Sequence, residues 1–516
     1  VAVGLRRDGA VADGEGAADS VAALALAWQS TRQAILKEFE QGCPSWEWSD
    51  QQPNPGRVGS GGGGLSGGTS DFIHPTEASL SEGSAAAGLL PVRDRFTARL
   101  AELQGEEGEA KKAEDLALEG GERAVGARGG RGGGGREPLG RSGGRELTHE
   151  DYRTHLKRLR ENLSRAWLKE EKVTALKVAV QAAKLMGDTS VPFSYPAVFV
   201  HVTDLLEDFA LKVFSRIKDK AEECTAEDKD DNQGTSFCQS PPPPPRYPLR
   251  KGWTQADVSP AAKETCRNWF YKTACIRELL PRILIEVALL PCYRFLAEEE
   301  EYTQILGRLC TVMRGLGDIM LALYSRCYLA VVGVRVCPGS QAIHAATSLQ
   351  DYLFSFEELR EGKAGAYMVA HGLGISEYVH LQVPAIDWLL RCASQGTSRE
   401  VFTKTLNHYR EHCGSLEVLC RIMTRFHAEH YGPLALKMAQ LIKQKDGVAS
   451  RCTKAQAMGV LGRRLAGWPL PSDEALPLLN EAWQVIDPAP LEEYVEGAAA
   501  WLEILLTNRA YSPEDV

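Results

Sequence analysis

From Leu147 onward apolar residues recur at intervals of three and four, and the chain hardly leaves that helical period. Leu156, Leu159, Leu163 and Trp167 follow one another at spacings of 3, 4 and 4, which puts them on one stripe of a helix. Thr148 and Asp151 stand ahead of them as an N-cap and a capping-box-like carboxylate. A second helix begins at once, with Val173, Leu176, Val180 and Ala183 expected on its buried face, so the pair predicts an antiparallel hairpin. Phe199, Val202, Leu206, Phe209, Val213 and Ile217 share a face of a third helix that opens near Pro196. Further helices are predicted over 259–279, 282–298, 303–313, 317–334, 346–360, 385–395, 399–411, 416–430, 433–445, 453–465, 473–487 and 490–507. No run alternates with period two, and the junctions are short and carry Gly or Pro, as at Gly315, Gly317, Gly432-Pro433 and Trp468-Pro469. The pattern predicts an all-α fold over 147–516, a HEAT-like α-solenoid of stacked helical hairpins. No consensus repeats at a fixed period, so that expectation rests on architecture alone.

Residues 1–146 follow a different pattern. Of the 49 glycines, 29 lie in residues 1–145, concentrated in tracts at 56–68 and 120–144. Arg123, Arg128, Arg131, Arg136, Arg141 and Arg145 are interleaved with the second tract. Such sequence buries too little apolar surface to offset its chain entropy. Residues 1–146 are therefore expected to be mostly disordered, low-complexity chain with one short amphipathic helix over 92–103. The Arg-Gly tract could bind RNA, but no aromatic residue stands among its arginines to stack on bases, and a basic flexible linker is the simpler reading. The apolar run Val21 to Trp28 resembles a signal-peptide core, yet Asp13, Glu15 and Asp19 precede it in place of a basic region. A second interruption, 221–252, joins an acidic patch (Glu222, Glu223, Glu227, Asp228, Asp230, Asp231) to the polyproline run Pro241 to Pro245. It reads as an inserted surface loop, a spacer that could also meet an aromatic groove.

Charge and cysteine usage narrow the class. The 516 residues carry 59 Lys+Arg against 68 Asp+Glu, a net charge of −9, which excludes a general nucleic-acid coat. Hydrophobic residues at 44% supply a large core. The 13 cysteines are odd in number, scattered and without a C-x-x-C pair, the usage of reduced thiols in a cytosolic protein. The longest apolar stretch, Ile319 to Val336, is interrupted by Ser325 and Arg326 and falls short of the ~20 uninterrupted residues of a bilayer helix. Contact with a membrane is expected only through partners.

Chemistry is sparse. There is no phosphate-binding G-x-x-x-x-G-K-[ST] loop and no G-x-S-x-G elbow. His408-Tyr409-Arg410-Glu411-His412 has the H-x-x-E-H form of an inverted zinc-protease motif; two histidines four apart share a helix face, with Glu411 as base and His427 or Glu417 as a third ligand. The segment is strongly polar and is better read as a solvated helix surface, as are His427 and His430. The run Glu298 to Glu301 points around a helix instead of converging, and reads as the solvated end of the helix begun near Pro281. No nucleophile, base and oxyanion hole assemble, so neither catalysis nor a metal or cofactor is expected. A zinc-dependent hydrolase and an RNA-associated protein stand as the alternatives.

The richest segment is Lys263 to Leu296. Trp269, Phe270 and Tyr271 precede Ile276, Leu279 and Leu280; Pro281 then takes a first-turn position, with Arg282 beside it and Ile283, Leu284, Ile285, Val287, Leu289 and Leu290 after it. A helix apolar over more than one face, with a cation at its edge, fits a partner surface. Composition alone favours the other reading, a core helix whose Arg282 is paired with Glu278.

Several collinear motifs bear on that choice: Lys172-Val173-Thr174-Ala175-Leu176-Lys177, Lys184-Leu185-Met186 with Asp188-Thr189-Ser190, Lys263-Glu264-Thr265-Cys266 with Asn268-Trp269-Phe270, Ile276-Arg277-Glu278-Leu279 with Pro281-Arg282, Arg314-Gly315 with Gly317-Asp318, Pro384-Ala385 with Asp387-Trp388, and Leu479-Asn480-Glu481-Ala482-Trp483. Together they resemble the vacuolar protein sorting 35-like family, the large scaffold subunits of the retriever complex. The resemblance covers that family's N-terminal and middle portion.

The resemblance implies a non-enzymatic α-solenoid scaffold, cytoplasmic and peripheral on endosomes, that serves recycling of membrane cargo to the cell surface. It implies as partners an arrestin-fold subunit at the N-terminal end and a phosphoesterase-fold subunit whose site is expected beyond Val516. COMM-domain and coiled-coil proteins of the Commander assembly and a sorting-nexin cargo adaptor complete the set; nucleic acid is not among them. A Pro-Arg motif of the related retromer scaffold maps onto Pro281, Arg282, Ile283 and Leu284, the residues expected to meet the arrestin-fold subunit. Ile285 and Glu286 replace the retromer motif's Leu and Met.

Overall fold

Spacing of three and four becomes packing wherever a helix presents its stripe to two neighbours. The computed structural model describes residues 12–41, 149–189, 192–223, 249, 252–338, 342–360, 362, 364–445, 451–466, 468 and 472–507. These residues form eighteen α-helices and no β-strand. In chain order they are α1 (Ala12–Leu36), α2 (His149–Leu168), α3 (Lys172–Leu185), α4 (Tyr195–Glu222), α5 (Pro260–Ala274), α6 (Leu279–Ala288), α7 (Glu299–Met313), α8 (Ile319–Val336) and α9 (Ile343–Arg360). There follow α10 (Gly365–Ala370), α11 (Ile375–Ala393), α12 (Arg399–His412), α13 (Leu416–Arg425), α14 (Ala428–Tyr431), α15 (Ala435–Gln444), α16 (Lys454–Leu465), α17 (Ser472–Ile486) and α18 (Leu491–Thr507). All lie in one compact unit, residues 1–40 with 144–516.

Most helices pack on a neighbour in sequence and on a helix two or three places along. One layer runs α6, α8, α11, α13, α16, α18 and the other α7, α9, α12, with α15 against α17. This is the two-layer stacking of a solenoid, and the all-α expectation holds. The stripe of α4 is buried at every predicted position, Phe199 to Ile217. In α3 Leu176 and Ala183 are buried as expected, but Val173 is exposed and Val180 half-buried, while Ala175, Val178, Ala179 and Ala182 also go inside, because small side chains let α2, α4 and α6 approach closely.

Helix α8 is wrapped by α6, α7, α9 and α11. By length and composition it could cross a membrane, with a mean hydropathy of 1.5, but 89% of it is buried inside the protein. A helix apolar all round is here the centre of a core.

Two expectations are corrected by these helices. The predicted helix 282–298 is two elements: α6 starts earlier, at Leu279, and ends at Ala288, and Leu290–Phe295 continues as 3-10 turns, since Pro291 lacks the N–H that an α-helix needs. Glu298 therefore does not end that helix. It caps the next, its carboxylate and that of Glu301 forming a capping box at the start of α7.

The second concerns residues 1–146. Residues 12–36 are helical, and α1 lies on α4 and α8. Leu24, Trp28, Ile35 and Phe39 are buried, with Trp28 edge-on to Phe199 (6.2 Å) and Trp388 (4.8 Å). Arg32, 8% exposed, pairs with Asp204 at 2.5 Å and Glu207 at 2.9 Å and donates to Thr203 Oγ1 at 3.1 Å. The run that resembled a signal-peptide core thus supplies two residues, Leu24 and Trp28, of the inward stripe of a docked helix. The predicted helix 92–103, both glycine tracts and Pro241 to Pro245 lie outside the described residues.

Candidate docking site on helix α6

Ser259 opens α5: its hydroxyl accepts from the Ala262 N–H at 3.4 Å, and Pro260 follows at the first helical position. The aromatic triplet that this helix carries is divided by its period. Trp269 is buried, stacked on Trp167 (6.1 Å) and edge-on to Phe209 (5.7 Å). Phe270 is half-buried against Tyr293, centroids 3.9 Å apart, and Tyr271 is 71% exposed. Burial and the neighbouring Glu286 charge push the Tyr293 phenol well above its ordinary pKa.

Pro281 sits in the first turn of α6, where an absent N–H costs nothing. Pro281, Ile283 and Leu284 are all buried within this chain, Ile283 and Leu284 at 1% exposure. They are core residues packed towards α3, α4 and α8, so they can set the position of a docking surface but not touch a partner. Of the four residues expected to meet a partner, the structure leaves Arg282 alone half-exposed.

Charge pairing around it removes the core-helix account of that arginine. Glu278, its expected partner, is held by Lys184 instead, Nζ to Oε1 at 2.6 Å. Glu286, one turn further on, is taken by Arg308 and by the Tyr293 hydroxyl at 3.1 Å. Among the described residues Arg282 makes no side-chain hydrogen bond and no ion pair. The sequence reading was therefore divided: the apolar side chains behave as core, and the cation behaves as surface.

The H-x-x-E-H segment occupies the end of α12. His408 and His412 share a face, rings 5.7 Å apart, but His412 Nδ1 is hydrogen-bonded to Glu357 at 2.7 Å. The suggested third ligands are elsewhere: Glu417 accepts from Arg421 at 3.1 Å, and His427 lies beside His430. Among the described residues no group of three His, Cys, Asp or Glu side chains could hold a metal ion. His430, expected on the surface, is 8% exposed and stacks on Phe402. Burial pulls its pKa down.

Sequence reasoning missed the seat of α1. The signal was there, since Leu24, Trp28, Arg32, Ile35 and Phe39 recur at 4, 4, 3 and 4. It was hidden by the glycine-rich chain that follows.

Comparison with known proteins gives the following. Residues 139–381 match the family described as VPS35L. The chain is 34% identical over 375 residues to "VPS35 endosomal protein-sorting factor-like" of Danio rerio, covering 72% of this chain and 36% of that protein. The Homo sapiens protein of the same description is 32% identical over 362 residues, 69% of this chain and 35% of its own length. One from Dictyostelium discoideum is 30% identical over 375 residues. The chain thus spans about a third of the length of the curated relatives it matches.

Proposed function

Since the chain belongs to the family of VPS35 endosomal protein-sorting factor-like proteins, we propose that it acts in endosomal protein sorting as a non-enzymatic helical scaffold. Its specific role on this reading is the large subunit of a retromer-like retriever complex that returns membrane cargo from endosomes to the plasma membrane. The protein works in the cytoplasm, peripheral to the endosomal membrane.

The observation that supports this reading best is the state of Arg282. A guanidinium that stays half-exposed and, among the described residues, unpaired, on a helix whose every apolar side chain after Pro281 is buried, offers its donors to an acidic or carbonyl-rich surface. The partner assigned to it is the arrestin-fold subunit. Tyr271 and Arg277, both exposed on the approach to α6, widen the surface. The phosphoesterase-fold subunit, the COMM-domain and coiled-coil proteins and a sorting nexin are the further partners on this reading.

Arg282→Glu should abolish co-purification of the arrestin-fold subunit while leaving the helical circular-dichroism signal and the unfolding temperature within about 1 °C of wild type, as expected for a surface change. Full retention of that subunit by the variant would refute the assignment.

A further inference from the structure

Buried arginines in this core come with carboxylates. Arg32 has Asp204 and Glu207, and the half-buried Arg335 and Arg421 have Glu207 and the pair Asp387 and Glu417. Arg326, in the middle of α8, does not. It is 6% exposed, and among the described residues it makes no ion pair and no hydrogen bond; its Nε is sealed off without an acceptor. Burial lowers its pKa from the ordinary arginine value, with the charge of Asp351 acting against that shift. Asp351 itself is already engaged, accepting from Arg314 Nε at 3.0 Å.

The side chain faces somewhere specific. Arg326 lines a cavity of about 370 Å³ between the α7–α8 turn, the first turns of α8 and the second half of α9. Of its guanidinium nitrogens only Nε is enclosed by protein, so the terminal pair is the part directed at this space. The N-terminus of α8 is not the attraction, because Asp318 already caps it, accepting from the Leu321 N–H at 2.8 Å.

A buried cation with no paired acceptor is costly, and two parallel N–H donors match a planar oxyanion. The rim decides which oxyanion. Asp318, Asp351 and Glu358 also line the space, Asp318 occupied in capping α8 and Asp351 held by Arg314, so a dianionic phosphate meets more like charge than a single carboxylate taken by the terminal nitrogens of Arg326. Phe354, 53% exposed at the rim, offers an apolar face to the methylene groups of an acidic side chain. The turn beneath the cavity abuts the start of α6: a Cβ on Gly315 would lie 3.0 Å from Leu279 Cδ2. The turn that lines the cavity therefore touches the first turn of the helix that carries Arg282.

We propose that this cavity receives the carboxylate of a glutamate or aspartate presented by a protein segment that docks along the edge of α6 and the α7–α8 turn. The identity of that segment rests on the scaffold reading; the carboxylate specificity does not, and it can be measured without any partner.

The test uses the whole 516-residue chain and three probes at about 20 mM: N-acetylglutamate N-methylamide, its glutamine counterpart and inorganic phosphate. The glutamate probe should raise the unfolding temperature saturably by about 2 °C, while the other two leave it unchanged. Arg326→Gln should lose the shift. Should that variant fail to fold, Phe354→Glu, at an exposed position, should lose it as well. An equal shift from the glutamine probe, a larger one from phosphate, or a shift that persists in Phe354→Glu would each overturn the proposal. A negative result here leaves the Arg282→Glu experiment free to succeed, and the reverse, so the two readings fail separately.

Discussion

His344 lies between α8 and α9 at 5% exposure, its Nε2 3.4 Å from the Ala330 carbonyl. Burial pulls its pKa down to about 4. An unfolded histidine titrates near 6.5, so between pH 6.5 and 4 the unfolded chain takes up a proton that the folded chain refuses. Stability is therefore full above about pH 6.5 and declines as pH falls toward 4. Urea unfolding at pH 7 and pH 5 should show a loss of about 2 kcal/mol from this residue, and His344→Gln should remove that part of the pH dependence. The ring also explains Gly333, since a Cβ there would come within 2.8 Å of His344 Cδ2 and closer still to Nε2. Gly333→Ala should cost about 1–3 kcal/mol by forcing the imidazole aside. At this scale the sequence was only half legible. Residue type and helical phase picked out Arg282, but its freedom depends on Lys184 capturing Glu278, a contact that only tertiary structure creates.

At the scale of elements, helix existence was plain wherever apolar periodicity ran longer than three turns, as in α4 and α8. Boundaries slipped at prolines. Helix α11 was expected from Ala385, yet it starts at Ile375 and carries Pro384 inside. The carbonyl that Pro384 leaves without its helical donor is that of His380, and beside it the Tyr324 hydroxyl from α8 donates to the Leu381 carbonyl at 2.8 Å. Local pattern could not reveal a donor on another helix. The same limit hid α1, whose stripe is legible but whose receptor, Phe199 and Trp388, is assembled from α4 and α11. Trp28→Ala should weaken that docking by about 3–5 kcal/mol, the usual cost of emptying a buried aromatic site. Hydrogen exchange should then show residues 12–41 deprotected while α4 and α8 keep their protection; unchanged protection of α1 would mean that the tryptophan does not hold it.

At the scale of the whole molecule, stability is spread along a series of neighbour contacts rather than gathered in one centre. Helices α16 and α18 illustrate it: Gly459 faces Gly497, and Trp501, fully buried, donates its indole N–H to the Met458 carbonyl at 3.2 Å. Trp501→Ala should deprotect α16 to α18 in hydrogen exchange and leave α4 to α9 unchanged. A uniform loss across all helices would instead indicate a single cooperative unit.

The docked position of α1 has a practical corollary. A glycine-rich head invites removal before crystallisation or expression, and a cut anywhere between residue 41 and the start of α2 would take α1 away with it. The shortened protein would leave Phe199 and Trp388 facing water and Asp204 and Glu207 without Arg32. Self-association seen in such a trimmed sample would then be a product of the scissors, with the lost helix as its cure when added back as a peptide.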